Sequence, residues 1–151
     1  MNKDISSALN ESDPFDAIWA FENCFDCDRE NLEKEPNVAH RVLVTASMFA
    51  NVFGASGYAG VVYELHGKLG LILEALEMLQ LTGLAQEMRR VISLAEEKAL
   101  NAQSDEDDWS VFVSENGDFR GATQRDVPGA AALIAAGMKN FVTSNPQMFD
   151  D

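Results

Sequence analysis

The sequence predicts an all-α protein, a single-domain helical bundle of about five to six helices. Three observations carry that expectation. Apolar residues recur at helical spacing along most of the chain. Helix starts are marked by Asp13-Pro14, Asn37 and Asp126-Val127-Pro128. Alternation of the kind a strand needs occurs in one place only, around residues 109–123, where a small β-hairpin is expected.

At 151 residues with 46% hydrophobic side chains, the chain is long enough to bury a core without staples. Residues 1–12 are polar and read as a flexible arm. Asp13 and Pro14 then begin a helix whose inner face is Ile18, Phe21, Phe25 and Leu32, and which Pro36 ends. Beside that face Glu22, Asp26, Glu30 and Glu33 fall into one acidic stripe. Like charges at this spacing repel by a few tenths of a kcal/mol per pair (about 0.2–0.5).

Asn37 caps a second helix over residues 38–53, with Val38, Val42, Ala46, Phe49 and Phe53 as its apolar stripe. Gly54, Gly57 and Gly60 mark a break, followed by a short helix from Tyr58 to His66 and a second break at Gly67 to Gly70. These glycines match neither G-x-x-x-x-G-K-[ST] nor G-x-G-x-x-G, and no strand precedes them, which argues against a nucleotide site. Ile72, Ala75, Leu76 and Leu79 form one amphipathic helix, and Leu84, Met88, Val91, Ile92, Ala95 and Ala99 the next. The turn at Thr82-Gly83 makes the two an αα-hairpin.

Ser104 to Asp108, SDEDD, reads as a charged connector. Trp109, Val111 and Val113 then alternate, and Asn116-Gly117 is a two-residue hairpin signal. The last helix buries Ile134, Met138, Phe141 and Val142, and Asn145-Pro146 stops it, with Phe149 tucking back.

Charge narrows the function classes. There are 25 acidic and 11 basic residues, a formal net charge of −14. Direct nucleic-acid binding would need clustered Lys and Arg, so it is not expected. The charge divides into −7 over residues 1–35, −1 over 36–104 and −6 over 105–151. The middle is nearly neutral, and the two ends carry the field. The candidate partner-binding residues are therefore Glu22, Asp26, Glu30 and Glu33, with Asp105, Glu106, Asp107 and Asp108 as a second cluster. Acid side chains about 6 Å apart along a helix approach the spacing of strand phosphates, so a basic protein surface is the partner they suit.

Other chemistry is thinly represented. Cys24-Phe-Asp-Cys27 has C-x-x-C spacing but lacks the strand that a redox motif follows, and zinc would need two more ligands from a chain with only His40 and His66. No cofactor, metal or catalytic residue is expected. Met48, Met78, Met88 and Met138 read as core filling. The start is too polar for a signal peptide, and the longest small-and-apolar run, Ala130 to Ala136, is far short of the roughly 20 residues of a membrane span. A cytoplasmic monomer or homodimer with free thiols is expected.

Gly57-Tyr58 and the segments SGYAGVVYEL and ILEALEMLQLTGLAQEMRRVISL, with the closing FVTSNPQMF, resemble a bacterial family named for a neisserial DNA-mimic protein. The resemblance covers Phe49 to Leu94 and Phe141 to Phe149, with Ala55-Ser56-Gly57-Tyr58 standing where that family often has Asn-Gly-Gly-Phe. It implies an all-α protein whose carboxylates stand in for DNA phosphates on the face of a DNA-binding regulator. Two alternatives stay open: an immunity or antitoxin-like protein that neutralises one toxin, and a small enzyme with His40 or His66 in a pocket.

Overall fold

The computed structural model describes residues 2–100, 103–115 and 127–150. Among them the chain is all-α, with seven α-helices, three short 3₁₀ turns and no strand. The seven helices exceed the expected five to six, and the two additions have identifiable causes.

The first is α1, Lys3–Asn10, where a flexible arm was expected. The Asn2 side chain accepts the Asp4 N–H at 2.6 Å, and Ile5 and Ala8 are buried against α2, Pro14–Glu22. Two buried positions three apart are too little for sequence periodicity to register; docking on α2 is what holds this short helix.

In α2 the cap operates as read, with Asp13 Oδ1 accepting the Asp16 N–H at 3.0 Å and Pro14 in the first turn. The helix ends at Glu22, however, and does not continue to Pro36. Asn23-Cys24-Phe25-Asp26-Cys27-Asp28 is a run of weak helix formers. Local hydrogen bonds complete the break: Asn23 Nδ2 donates to the Trp19 carbonyl at 2.8 Å, and Asp28 accepts the Glu30 N–H at 3.1 Å and Asn31 Nδ2 at 2.8 Å. A 3₁₀ turn over Arg29–Lys34 follows, with Asn31 itself outside helical geometry. Ile18, Phe21, Phe25 and Leu32 are all buried as expected, but from two separate elements.

Helix α3, Val38–Glu64, is the centre of the molecule. Asn37 caps it through the His40 N–H at 3.1 Å. Val42 to Ser47 are buried without interruption, so this stretch is covered on all sides, and the helix as a whole packs against α2, α4, α5 and the last helix. Its most apolar window has a mean hydropathy of 1.3, enough by length and composition to cross a membrane, and 61% of that window is taken up inside the domain. The break among the glycines falls at Gly57, with φ 69° and ψ −170°, a conformation open essentially to glycine alone.

After a 3₁₀ turn at His66–Lys68 come α4, Leu69–Met78, and α5, Thr82–Glu97. They pack as the expected hairpin, but the turn lies at Leu79 to Leu81, with Gln80 at φ 60°, and Thr82-Gly83 already belong to α5. Ala99, at φ 57°, ends α5, and the Leu100 N–H reaches the Ala95 carbonyl at 3.0 Å.

The second addition is α6, Glu106–Glu115, which takes in the end of the charged connector and replaces the first strand of the expected hairpin. Asp105 Oδ1 accepts the Asp108 N–H at 2.9 Å, and three acids occupy the first turn, where the helix dipole favours them. Asn116-Gly117 and the second expected strand lie outside the described residues.

Helix α7, Val127–Ser144, buries Ile134, Met138, Phe141 and Val142 as read from its spacing. Asn145 Nδ2 donates to the Phe141 carbonyl at 2.8 Å, and a turn over Pro146–Phe149 returns Phe149 to the core.

Candidate partner-binding surface

The break after α2 redistributes the first acidic group. Glu22, Asp26, Glu30 and Glu33 do not form one helical stripe: Glu22 closes α2, Asp26 lies in the break, and Glu30 and Glu33 sit in the 3₁₀ turn. Asp26, Glu30 and Glu33 are exposed. Glu22 is engaged within the chain. Its Oε1 faces Arg29 Nη2 at 3.4 Å, its Oε2 accepts Asn51 Nδ2 at 3.3 Å, and its side chain is only 16% exposed. Asp28, beside them, is held below the usual carboxylate range by the hydrogen bonds from Asn31 and the Glu30 N–H.

Asp105, Glu106, Asp107 and Asp108 are all exposed around the start of α6. The helix is held to α3 through Trp109, whose ring centroid lies 5.5 Å from that of Tyr63. The first acidic group is tied to the other end of α3, where Phe25 stacks on His40 at 4.3 Å. The two groups are thus anchored on opposite sides of the Gly57 break.

The described guanidinium charges are spent internally. Every arginine among the described residues has an acidic partner: Arg29 with Glu22, Arg41 with Glu74 at 2.6 Å, Arg89 with Glu77, and Arg90 with Glu87 at 2.7 Å. Lys139 Nζ donates to the Glu11 carbonyl.

The cysteines are placed as quiet thiols. Cys24 Sγ donates to the Ala20 carbonyl at 3.2 Å, and burial followed by the charge of Asp4 raises its pKa to about 11. Cys27 is buried, and burial followed by Glu35 raises it to about 11 as well. A thiol so raised is a poor nucleophile and a poor metal ligand at neutral pH. Among the described residues no group of three or more His, Cys, Asp or Glu is placed to hold a metal. His40 lies near the start of α3 in a cluster with the rings of Phe25 and Phe149, and His66 follows its end, so the two do not share a pocket.

A feature that the sequence reading passed over lies on α2. Phe15 and Trp19, one turn apart, are 52% and 67% exposed. They form one wall of an open groove of about 450 Å³, completed by Phe53 and Gly54 of α3 and by Ala131 and Ile134 of α7. The available signal was the i, i+4 spacing of two aromatics on the side of α2 away from Phe21.

No family model matches the chain, and no curated protein or solved structure matches it.

Proposed function

We propose that this chain is a non-enzymatic, acidic protein-binding module that engages a basic surface of a partner protein, acting as a DNA mimic toward a DNA-binding regulator. One observation carries the reading: the described arginines are consumed by internal ion pairs, while Asp26, Glu30, Glu33 and the run Asp105 to Asp108 stand exposed without a basic partner among the described residues. A surface of that kind draws cationic partners from solution and repels anionic ones. The resemblance of Phe49 to Leu94 to the DNA-mimic family points the same way.

The test is a salt titration of binding to a basic regulator. Affinity falls steeply between 50 and 300 mM salt if the contact is electrostatic, on the order of tenfold or more. The double reversal Glu30→Lys with Glu33→Lys weakens it further. Affinity that ignores both changes overturns the reading.

A second reading, the neutralisation of one toxin through a compact apolar hot spot, is favoured by the exposure of Trp19. Charge reversal separates the two: on this second reading Glu30→Lys with Glu33→Lys leaves toxin binding unchanged, while truncation at Trp19 weakens it.

A further inference from the structure

We infer that the groove between α2, α3 and α7 receives the apolar face of a basic amphipathic helix supplied by a partner protein. The inference rests on the acidic-binder reading and deepens it, because it states which element of the partner is held and where.

Three properties of the groove lead to that occupant. The first is apolar exposure. Trp19 and Phe15 are large aromatics left mostly in water, and the rest of the lining is apolar in the main, with Phe53, Gly54, Ala131 and Ile134. Burying such aromatics is the common source of binding energy at an interface. The second is spacing. Phe15 and Trp19 are i, i+4 on α2, about 6 Å apart along the axis, which is the repeat at which a helix presents its own anchors. A helix laid in the groove can alternate its apolar residues with the two rings.

The third is charge. Asp16 is on the groove wall, and Asn51, also on the wall, is hydrogen bonded to Glu22. Asp13 is exposed at the start of α2. Among the described residues no Lys or Arg lines the groove. An incoming helix therefore meets an apolar floor with carboxylates beside it, which matches apolar anchors flanked by Lys or Arg. The same rim disfavours a second copy of this chain, since two copies would each bring a net charge of −14 and the same acids to one contact.

The test uses the full-length protein and a fluorescein-labelled, 18-residue Leu/Lys peptide with leucines at helical i, i+3, i+4, i+7 spacing, read by anisotropy in low salt. Two control peptides accompany it, one with the leucines and lysines scrambled out of helical register, the other with Glu in place of Lys. Binding of the helical Lys peptide, at least tenfold tighter than either control and weakened at least tenfold by the double variant F15A/W19A, supports the proposal. Both positions are exposed, so the variant is expected to keep its helical circular dichroism and melting temperature; a W19A single variant gives the same reading should the double variant lose them.

If the scrambled Lys peptide binds as tightly as the helical one and F15A/W19A changes nothing, the groove proposal falls while the acidic-binder reading stands. If neither Lys peptide binds, both fall. A wild-type dimer in sedimentation that F15A/W19A dissolves identifies the occupant as a second copy and overturns the commitment to a partner helix.

Discussion

Arg29 reaches back across the Asn23 to Asp28 break and places Nη2 3.4 Å from Oε1 of Glu22. This contact, with the Asn51 hydrogen bond at 3.3 Å on the other carboxylate oxygen, ties the end of α2 both to the 3₁₀ turn after it and to α3. It separates Glu22 from the three acids with which it shares the sequence.

Glu22→Lys is expected to cost about 1 kcal/mol of stability, because it removes one hydrogen bond, discards a partly exposed ion pair and sets a second cation against Arg29. Glu30→Lys and Glu33→Lys, at exposed positions, are expected to leave the urea midpoint unchanged while altering partner affinity. Chemical denaturation of the three variants checks the division. A Glu22→Lys protein as stable as wild type contradicts it.

The Gly57 break makes a second prediction. At φ 69° and ψ −170°, Gly57→Ala is expected to lose about 1–3 kcal/mol. The break also folds Ser56 onto Gly60, where an added Cβ would meet Ser56 Cβ at 2.1 Å, so Gly60→Ala is expected to be destabilising too. Gly83, in the first turn of α5 with open space around it, is the contrasting case. There alanine is expected to add about 0.4–1 kcal/mol by reducing the freedom of the unfolded chain. Thermal melts of the three variants should order as G83A above wild type, with G57A and G60A below.

Capping chemistry and core faces were legible in the sequence, because both are local. Asp13-Pro14, Asn37 and Asn145-Pro146 act where the sequence places them, and Ile134, Met138, Phe141 and Phe149 are buried, while Val38 and Ala99, expected on buried faces, are exposed at the start of α3 and beyond the end of α5. What failed depended on competition or on tertiary contact. Trp109, Val111 and Val113 suggest a strand by alternation, but Trp109 and Phe112 are buried while Val111 is 55% exposed, a spacing of three that only a helix satisfies. The acidic stripe assumed that α2 runs through Asn23 to Asp28, where six weak helix formers and side-chain hydrogen bonds to the backbone prevail. The groove needs three helices to exist, and only its two aromatics could be seen in advance.

Thr45 offers a test of core polarity. It lies on α3 with 1% exposure, and its hydroxyl has no hydrogen-bond partner among the described residues. A buried hydroxyl without a partner keeps its desolvation cost and returns nothing for it. Thr45→Val retains the β-branched shape and removes the hydroxyl, so it is expected to stabilise by about 1 kcal/mol. Ser47, equally buried, is the control: its Oγ donates to the Leu43 carbonyl at 3.0 Å, and Ser47→Ala should not stabilise. Paired urea titrations decide it; a loss of stability in T45V would mean that the hydroxyl is satisfied in solution.

The thiols and Tyr58 make the fold sensitive to alkali. Cys24 and Cys27 are raised from 9.0 to about 11, and Tyr58 from 10.0 to about 12, in each case chiefly by burial. All three are neutral when protonated, so the folded state holds its protons to higher pH than the unfolded chain does. Their contribution to stability is complete below pH 9, where neither state is ionised, and is lost as pH rises through about 11 to 12. The urea midpoint is therefore expected to fall from pH 9 upward, and the C24A/C27A variant should show a shallower fall between pH 9 and 11 whatever its absolute stability. The same shift slows native alkylation. Two pKa units lower the thiolate fraction about 100-fold at pH 8, so iodoacetamide should label the folded thiols much more slowly than the unfolded ones, on the order of tenfold or more after allowing for the greater nucleophilicity of a more basic thiolate. Fast labelling of the native protein at pH 8 would show that the C-x-x-C pair is open and reactive, and would return it to consideration as chemistry.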